Sequence, residues 1–346
     1  MADPNSSASG EPPNAPVPVV GAISIPGRQR SMEDAISVRP NLCSPNLSRG
    51  RPIDFFAVYD GHGGPHAAAL CRDRMYLILQ EELMLVRTTV DMSSGSSSGS
   101  GISRRGRRER LERQRVTEAW KRVLRRCFHR IDEMALFTCC ECGTGTPCGC
   151  PPNTLGMAGS TAVMAVVTEE TIIVANCGDS RAVLSRGGRA IPLSFDHKPD
   201  RQDERARIES CGGRVLFADC PRVQGILAMS RAIGDKYLKP YVTSEPEITF
   251  TKREAEDECL ILASDGLWDV ISTEMACEVA RECLREENPT GNHSFRPWVE
   301  GDGEGAIISS QSASAAALLT RLALGRNSYD NISVIVVDLK RNYAGR

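Results

Sequence analysis

The chain has 346 residues, 41% of them hydrophobic and 25% charged, with a net charge of −2. That length can bury a large core and that composition is ordinary for a globular protein, while the near-neutral balance excludes a global field for nucleic acid. No run of about 18 apolar residues is present, so no membrane span is expected, and the polar start from Met1 to Pro18 has no apolar core of a secretory signal.

Residues 1–18 are expected to be a disordered tail and 19–342 a single domain. Val19 to Ile25 reads as a strand, followed by the charged loop Arg28-Gln29-Arg30-Ser31-Met32-Glu33-Asp34 and renewed strand character from Ala35 to Val38. Ile53 to Tyr59 is an apolar, aromatic-rich strand that stops on Asp60, and Gly61-His62-Gly63-Gly64 leads to Pro65 at a favoured first helical position. The helix runs to about Arg87, with Ala68, Cys71, Met75, Ile78 and Leu79 at helical spacing. A Ser/Gly tract from Met92 to Gly101 marks a flexible insertion near 91–110.

Between Arg104 and Arg115 stand seven arginines against two glutamates, and Val116, Trp120, Val123, Leu124, Cys127 and Ile131 keep helical spacing behind them. The arginines therefore ride the start of a long amphipathic helix, against its macrodipole. A solvated face is the plain reading. Nuclear targeting is the sharper one, and with the absent signal it places the protein in nucleus and cytoplasm. Of 14 cysteines, five (Cys139, Cys140, Cys142, Cys148, Cys150) crowd a second insertion near 138–157. Cys139, Cys142, Cys148 and Cys150 offer a four-thiolate zinc site, but the second pair is spaced by one residue, so a variable reduced loop is the favoured reading. The remaining thiols are scattered singly through apolar segments, as in reduced, buried cysteines.

Beyond Gly159 strands dominate. Ser160–Val167 with Ile172–Asn176, and Ala182–Ser185 with Ala190–Leu193, make two hairpins. Helices are expected over Arg201–Ser210, Glu274–Glu286 and Ser314–Leu324, strands over Ile248–Thr251, Cys259–Ala263 and Ile332–Leu339, and a polar insertion near 287–308. Hairpins outnumber crossovers, which predicts an α+β fold of antiparallel sheets covered by helices.

Carboxylates recur at the strand borders. Asp265 follows the strand Leu260–Ala263, Asp330 immediately precedes the last strand, Glu33 and Asp34 precede another, and Asp179 sits in a turn. One aspartate at a strand end is usually a cap; several, far apart in sequence, suggest one cluster that would need cations to stay ionised. Oxygen-only ligands select magnesium or manganese over zinc, and no EF-hand spacing is present. Two such ions about 3.5–4 Å apart generate a hydroxide near neutral pH and neutralise an anionic substrate, which suits phosphate-ester hydrolysis. His62 is the only histidine inside these motifs and is the candidate general acid.

Seven motifs, in order, resemble the metal-dependent type 2C serine/threonine phosphatases: Met32-Glu33-Asp34-Ala35, Tyr59-Asp60-Gly61-His62-Gly63-Gly64, Gly159-Ser160-Thr161-Ala162, Asn176-Cys177-Gly178-Asp179-Ser180-Arg181-Ala182, Ser230-Arg231-Ala232-Ile233-Gly234-Asp235, Ala263-Ser264-Asp265-Gly266-Leu267-Trp268-Asp269 and Asp330-Asn331-Ile332-Ser333-Val334. The resemblance implies a sandwich of two antiparallel β-sheets flanked by helices, with the metals at one end. It makes Asp60 the bridging ligand, the Gly61 carbonyl, Asp265 and Asp330 further ligands, Glu33 and Asp34 ligands through water, and Asp179 the holder of a looser third ion. Asp196-His197-Lys198-Pro199, Leu227-Ala228-Met229-Ser230 and Tyr237-Leu238-Lys239-Pro240 resemble the plant group that dampens abscisic-acid signalling by dephosphorylating kinases. Its expected partners are phosphorylated kinases or other phosphoproteins, and the protein is expected to be a monomer.

Two positions depart from the family. Gln29 stands where the family has a phosphate-binding arginine, and a neutral amide cannot supply that charge; Arg28 and Arg30 flank it and a shifted loop would let them contribute. Ala218 stands where the plant group has a tryptophan that contacts the hormone-bound receptor, so weak receptor binding is expected. The rival readings are a weakly active or inactive phosphatase fold that sequesters kinases, resting on Gln29, and a cysteine phosphatase resting on the Cys43-x5-Arg49 spacing. The latter's loop has no glycines to aim amides at a phosphate.

Overall fold

The computed structural model describes residues 19–90, 102–138, 157–285, 307–308 and 310–340. Its first half runs β1 (Val19–Ile25), β2 (Ala35–Cys43), β3 (Ile53–Tyr59), β4 (Gly61–His62), α1 (His66–Val90) and α2 (Ile102–Thr138). Then follow β5 (Gly159–Ser160), β6 (Ala162–Val167), β7 (Thr171–Cys177), β8 (Arg181–Arg186), β9 (Arg189–Pro192) and α3 (Gln202–Ser210). The chain closes with β10 (Val215–Phe217), β11 (Pro221–Val223), β12 (Ile233–Gly234), β13 (Glu247–Lys252), β14 (Asp257–Ala263), α4 (Asp265–Trp268), α5 (Thr273–Arg285), β15 (Ile307–Ile308), α6 (Ser310–Gly325) and β16 (Ile332–Asp338).

Alternation along the strands builds the layers. In β3, Phe55, Ala57 and Tyr59 face one core and Phe56 and Val58 another, because successive side chains of a strand point to opposite faces. β14 and β16 do the same, with Cys259, Ile261, Val334 and Val336 on one side and Leu260, Leu262, Ile335 and Val337 on the other. A strand that is apolar on both faces must be covered on both. The result is a five-stranded sheet, β13-β7-β6-β3-β2, packed on a six-stranded sheet, β15-β1-β16-β14-β8-β9. The helices α1 and α2 cover the outside of the first with Met75, Leu79, Leu124 and Phe128. Ala276 and Ala280 of α5 and Ala316 and Leu319 of α6 cover the second.

The α+β sandwich expected from the sequence is therefore present, with three differences of detail. β1 pairs parallel to β15, so the larger sheet is not wholly antiparallel, and β15 lies inside the segment read as a polar insertion. The helix α2 begins at Ile102, so the arginine run and part of the insertion placed near 91–110 are helical. β10 and β11 form a separate hairpin that no alternation in its short, polar-flanked sequence announces. The tail 1–18, the Ser/Gly tract, Cys139, Cys140, Cys142, Cys148 and Cys150, and most of 287–308 lie outside the described residues.

Strand pairing brings the acidic borders to one end of the sandwich. In the smaller sheet Ala35 pairs with Tyr59 and Ala162 with Cys177, so the start of β2 and the ends of β3 and β7 are neighbours. In the larger sheet Ala263 pairs with both Arg181 and Val334, and Ile25 with Ile332. The turn between β7 and β8 crosses from one sheet to the other, and it carries Asp179.

Beside this end, α3 and the β10–β11 hairpin share a small core of Ile208, Val223, Met229, Ala232, Leu238 and Val242. Glu204 locks it. The carboxylate, buried on the inner side of α3, accepts from Arg231 Nη2 at 2.6 Å, Arg207 Nη2 at 2.9 Å and Ser230 Oγ at 2.6 Å. Burial alone would raise its pKa, but the hydrogen bonds from Arg231, Arg207 and Ser230 outweigh it and hold the group down at about 2.

Candidate metal centre

At the convergent sheet ends, carboxylate oxygens of Asp60, Asp179 and Asp265 lie within 4.8 Å of one another, the one such group among the described residues. Each comes from a different border: the end of β3, the β7–β8 crossing and the first residue of α4 after β14. Thr161 ties two of them together. Its N–H donates to the Asp60 carbonyl at 2.8 Å, and its hydroxyl accepts from the Asp60 N–H at 3.1 Å and bonds Ser180 Oγ at 2.8 Å, beside Asp179.

The electrostatics are those of carboxylates crowded together in a partly buried site. Burial first, then the charges of Asp34, Asp265, Asp179 and Asp330, push the Asp60 carboxyl well above its usual range. Burial also leads for Asp265, helped by Asp179, Asp269 and Asp330 and opposed by Lys198. Asp179 is buried; Lys198 Nζ donates to its Oδ2 at 2.6 Å, while Oδ1 is buried without a hydrogen-bond partner. A buried, orphaned carboxylate oxygen on a residue clustered with two further carboxylates fits a hard divalent cation.

The other predicted ligands take distinct positions. Asp34 is buried, and its Oδ2 accepts from Ser264 Oγ at 2.9 Å and Ser333 Oγ at 2.7 Å. Burial raises its pKa to about 6 against those two hydrogen bonds. Glu33 accepts from the Gly64 N–H at 3.1 Å and Ser31 Oγ at 3.2 Å, so it braces the glycine turn after His62. Gly61 follows Asp60 directly and pairs with Ser160. Asp330 does not join the three-carboxylate group: it is exposed and its Oδ1 accepts from the Asn331 N–H at 2.7 Å, although its charge acts on Asp34, Asp60 and Asp265.

His62 faces a partner that sequence reasoning left without a role. Its Nε2 lies 2.9 Å from both carboxylate oxygens of Asp235. Burial would lower the imidazole's pKa, but the hydrogen bonds and charge of Asp235, with Asp179 and Glu33, hold it above the ordinary value. The other ring nitrogen, Nδ1, is buried without a hydrogen-bond partner. Asp235 holds a left-handed backbone (φ 49°), which costs a non-glycine residue energy. It is pinned there by its N–H to the Ala158 carbonyl at 3.0 Å and by the Leu238 N–H to its own carbonyl at 2.9 Å.

On the substrate side, Gln29 and Arg30 are exposed on the β1–β2 loop. Arg28 is committed elsewhere: its guanidinium donates to Asn327 Oδ1 at 3.0 Å and the Leu324 carbonyl at 3.2 Å, at the end of α6, and lies over the Tyr329 ring. The expected contribution of Arg28 through a shifted loop therefore meets an arginine already engaged with a helix C-terminus, where a cation is favoured. The Cys43–Arg49 rival fails on chemistry. Burial pushes the Cys43 thiol up to about 11, away from the thiolate a nucleophile needs, and Arg49 pairs with Glu170 at 2.9 Å.

Asn331 is a second residue that the sequence left unread. Its Oδ1 accepts from the N–H groups of Glu33 at 2.7 Å and Asp34 at 3.4 Å, and its Nδ2 donates to the carbonyls of Pro26 at 2.9 Å and Ser31 at 3.0 Å. One side chain thus fastens the loop carrying Glu33 and Asp34 to the segment carrying Asp330. The only signal was an asparagine next to an aspartate, which a turn explains equally well.

Known proteins resemble this chain along most of its length. The family model described as "Protein phosphatase 2C" matches residues 19–97 and 151–332. Probable protein phosphatase 2C 75 of Arabidopsis thaliana is 54% identical over 326 residues, covering 94% of this chain and 74% of that protein. Probable protein phosphatase 2C 68 of Oryza sativa subsp. japonica is 47% identical over 328 residues, covering 94% and 79%. Among solved structures, serine-threonine phosphatase 2C from Toxoplasma gondii superimposes with a TM-score of 0.68 at 22% identity, covering 94% of this chain and 96% of that one. At that identity the likeness speaks for the fold.

Proposed function

The chain belongs to the protein phosphatase 2C family, the metal-dependent serine/threonine phosphatases, and from that premise we propose that it hydrolyses phosphoserine and phosphothreonine in signalling kinases at the carboxylate cluster. The observation that carries this reading is the approach of carboxylate oxygens of Asp60, Asp179 and Asp265 to within 4.8 Å of one another, with Asp179 Oδ1 buried and unpartnered. Asp60, Asp179 and Asp265, with the Gly61 carbonyl, Asp330, Glu33 and Asp34 around them, are the residues that would hold two magnesium or manganese ions and a looser third. Bound there, such ions lower the pKa of water and neutralise the phosphate.

The chain's own residues supply the rest. Asp235 fixes the His62 ring through Nε2, which leaves Nδ1 as the atom from which a proton can be given to the departing serine or threonine oxygen. The Glu33 carboxylate holds the Gly64 amide and so sets the turn that carries the imidazole. The decisive assay uses a phosphoserine peptide. Activity is expected with manganese, to vanish with a chelator and to return on adding the ion back; turnover unaffected by chelation would sink the reading. Manganese binding with no turnover would favour the sequestering alternative that rests on Gln29.

The motifs around Asp196, Leu227 and Tyr237 and the plant relatives support a place in abscisic-acid kinase signalling. Ala218 lies exposed at the turn of the β10–β11 hairpin, next to Phe217, which is 78% exposed. A methyl group there offers a receptor little to bury. Purified protein is expected to keep more than half its activity with saturating hormone and a molar excess of receptor. Complete inhibition under those conditions would contradict the assignment. The exposed arginines Arg107, Arg110, Arg113 and Arg115 at the start of α2 support a nuclear as well as cytoplasmic location, which imaging of a fluorescent fusion with these four changed to glutamine tests: undiminished nuclear signal would refute it.

A further inference from the structure

The mechanism leaves one cation at the carboxylate cluster without a task. Lys198 Nζ sits 2.6 Å from Asp179 Oδ2, and its charge also reaches Asp265 and Asp269. It is held on a stiff base. The preceding residue, His197, is fully buried; its N–H donates to the Gly178 carbonyl at 3.0 Å, and its Nδ1 lies 3.1 Å from the Gly178 nitrogen. Gly178 in turn precedes Asp179, so the lysine and the aspartate belong to two segments hydrogen-bonded to each other. The Lys198 carbonyl accepts from the Arg201 N–H at 3.1 Å, which anchors the other side.

Asp179 is thus divided between two kinds of cation. Oδ2 is taken by an ammonium that the chain itself supplies, and Oδ1 is buried and without a hydrogen-bond partner, on a carboxylate that clusters with those of Asp60 and Asp265. An ion that uses Oδ1 shares one buried carboxylate with a fixed positive charge, and repulsion across so short a distance is only partly screened by the water that reaches the half-buried lysine. The same ammonium already offsets part of the negative charge that would otherwise draw a further ion in.

We propose that Lys198 is an internal counter-cation that sets how many divalent ions the cluster holds, by occupying one oxygen of Asp179 and weakening the binding of the last ion there. The inference rests on the reading of the cluster as the metal centre. It makes Lys198 a positioning residue that acts through Asp179.

The test is a manganese titration of the full chain, with free ion followed by electron paramagnetic resonance. Lys198→Met and Lys198→Gln are expected to bind the weakest ion at least tenfold more tightly, or one ion more, while Lys198→Arg stays within about threefold of the parent. Adding Asp179→Asn to Lys198→Met is expected to abolish the gain. Superimposable isotherms for the parent and both neutral variants would overturn the inference, as would a gain that survives Asp179→Asn. Manganese binding by neither the parent nor the variants would instead overturn the metal-centre reading, and the inference with it.

Discussion

Gly159→Ala is expected to lower kcat on a phosphoserine peptide by at least about a hundredfold, the scale of a lost general acid, with the melting temperature nearly unchanged. Gly159 sits in β5, between β12 and β4, directly opposite His62 on one side and Gly234 on the other. A Cβ on it would fall on Asp235 Oδ2 and lie 2.7 Å from His62 Nε2, which is to say inside the hydrogen bond that orients the imidazole. The backbone cannot retreat, because both neighbouring strands hold it. The pair must part instead, and His62 loses the carboxylate that fixes its ring. Far-UV circular dichroism and a melting curve separate this from misfolding, and a kcat within threefold of the parent in a folded variant would refute it.

Glu204→Gln is expected to cost about 3 kcal/mol at pH 7, because it leaves the half-buried Arg231 and Arg207 beside a neutral amide. The pH dependence follows from linkage. The folded-state pKa of about 2 lies below the ordinary 4.5, so the unfolded chain binds the proton more readily. The stabilisation is fully present above pH 4.5 and is lost as the pH falls from there towards 2. The drop of about 2.5 pH units corresponds to ~3 kcal/mol. Denaturant midpoints of parent and variant should therefore differ most at neutral pH and converge in acid. A gap that stays constant from pH 7 to pH 3 would mean that Glu204 does not lock this core as an ionised group. Because α3 and the β10–β11 hairpin share one small core, loosened packing should first appear there, as faster amide exchange.

The sequence by itself determined the layers and the identity of the acidic residues. Strands such as Ile53–Tyr59 and Ile332–Leu339 are apolar on both faces, helix α1 shows one apolar stripe, and these patterns are local, so they survive without knowing the fold. The aspartates at the strand borders were legible for the same reason: each is marked by the strand it ends or begins. Three things were decided only by tertiary structure. Asp235 acquires its role from a contact with His62 across 173 positions, and no local pattern encodes a pairing at that range. Asn331 reaches Glu33 across 298 positions. Arg28 and Lys198 exchanged importance. Charge type can be read from a sequence, but direction cannot: Arg28, beside Gln29 in the loop, turns to the end of α6, while Lys198 is carried by the buried His197 and the crossing between the two sheets onto Asp179. Burial and orientation come from the packing of elements distant in the chain, and it is they that turn a set of strand-end aspartates into one carboxylate cluster.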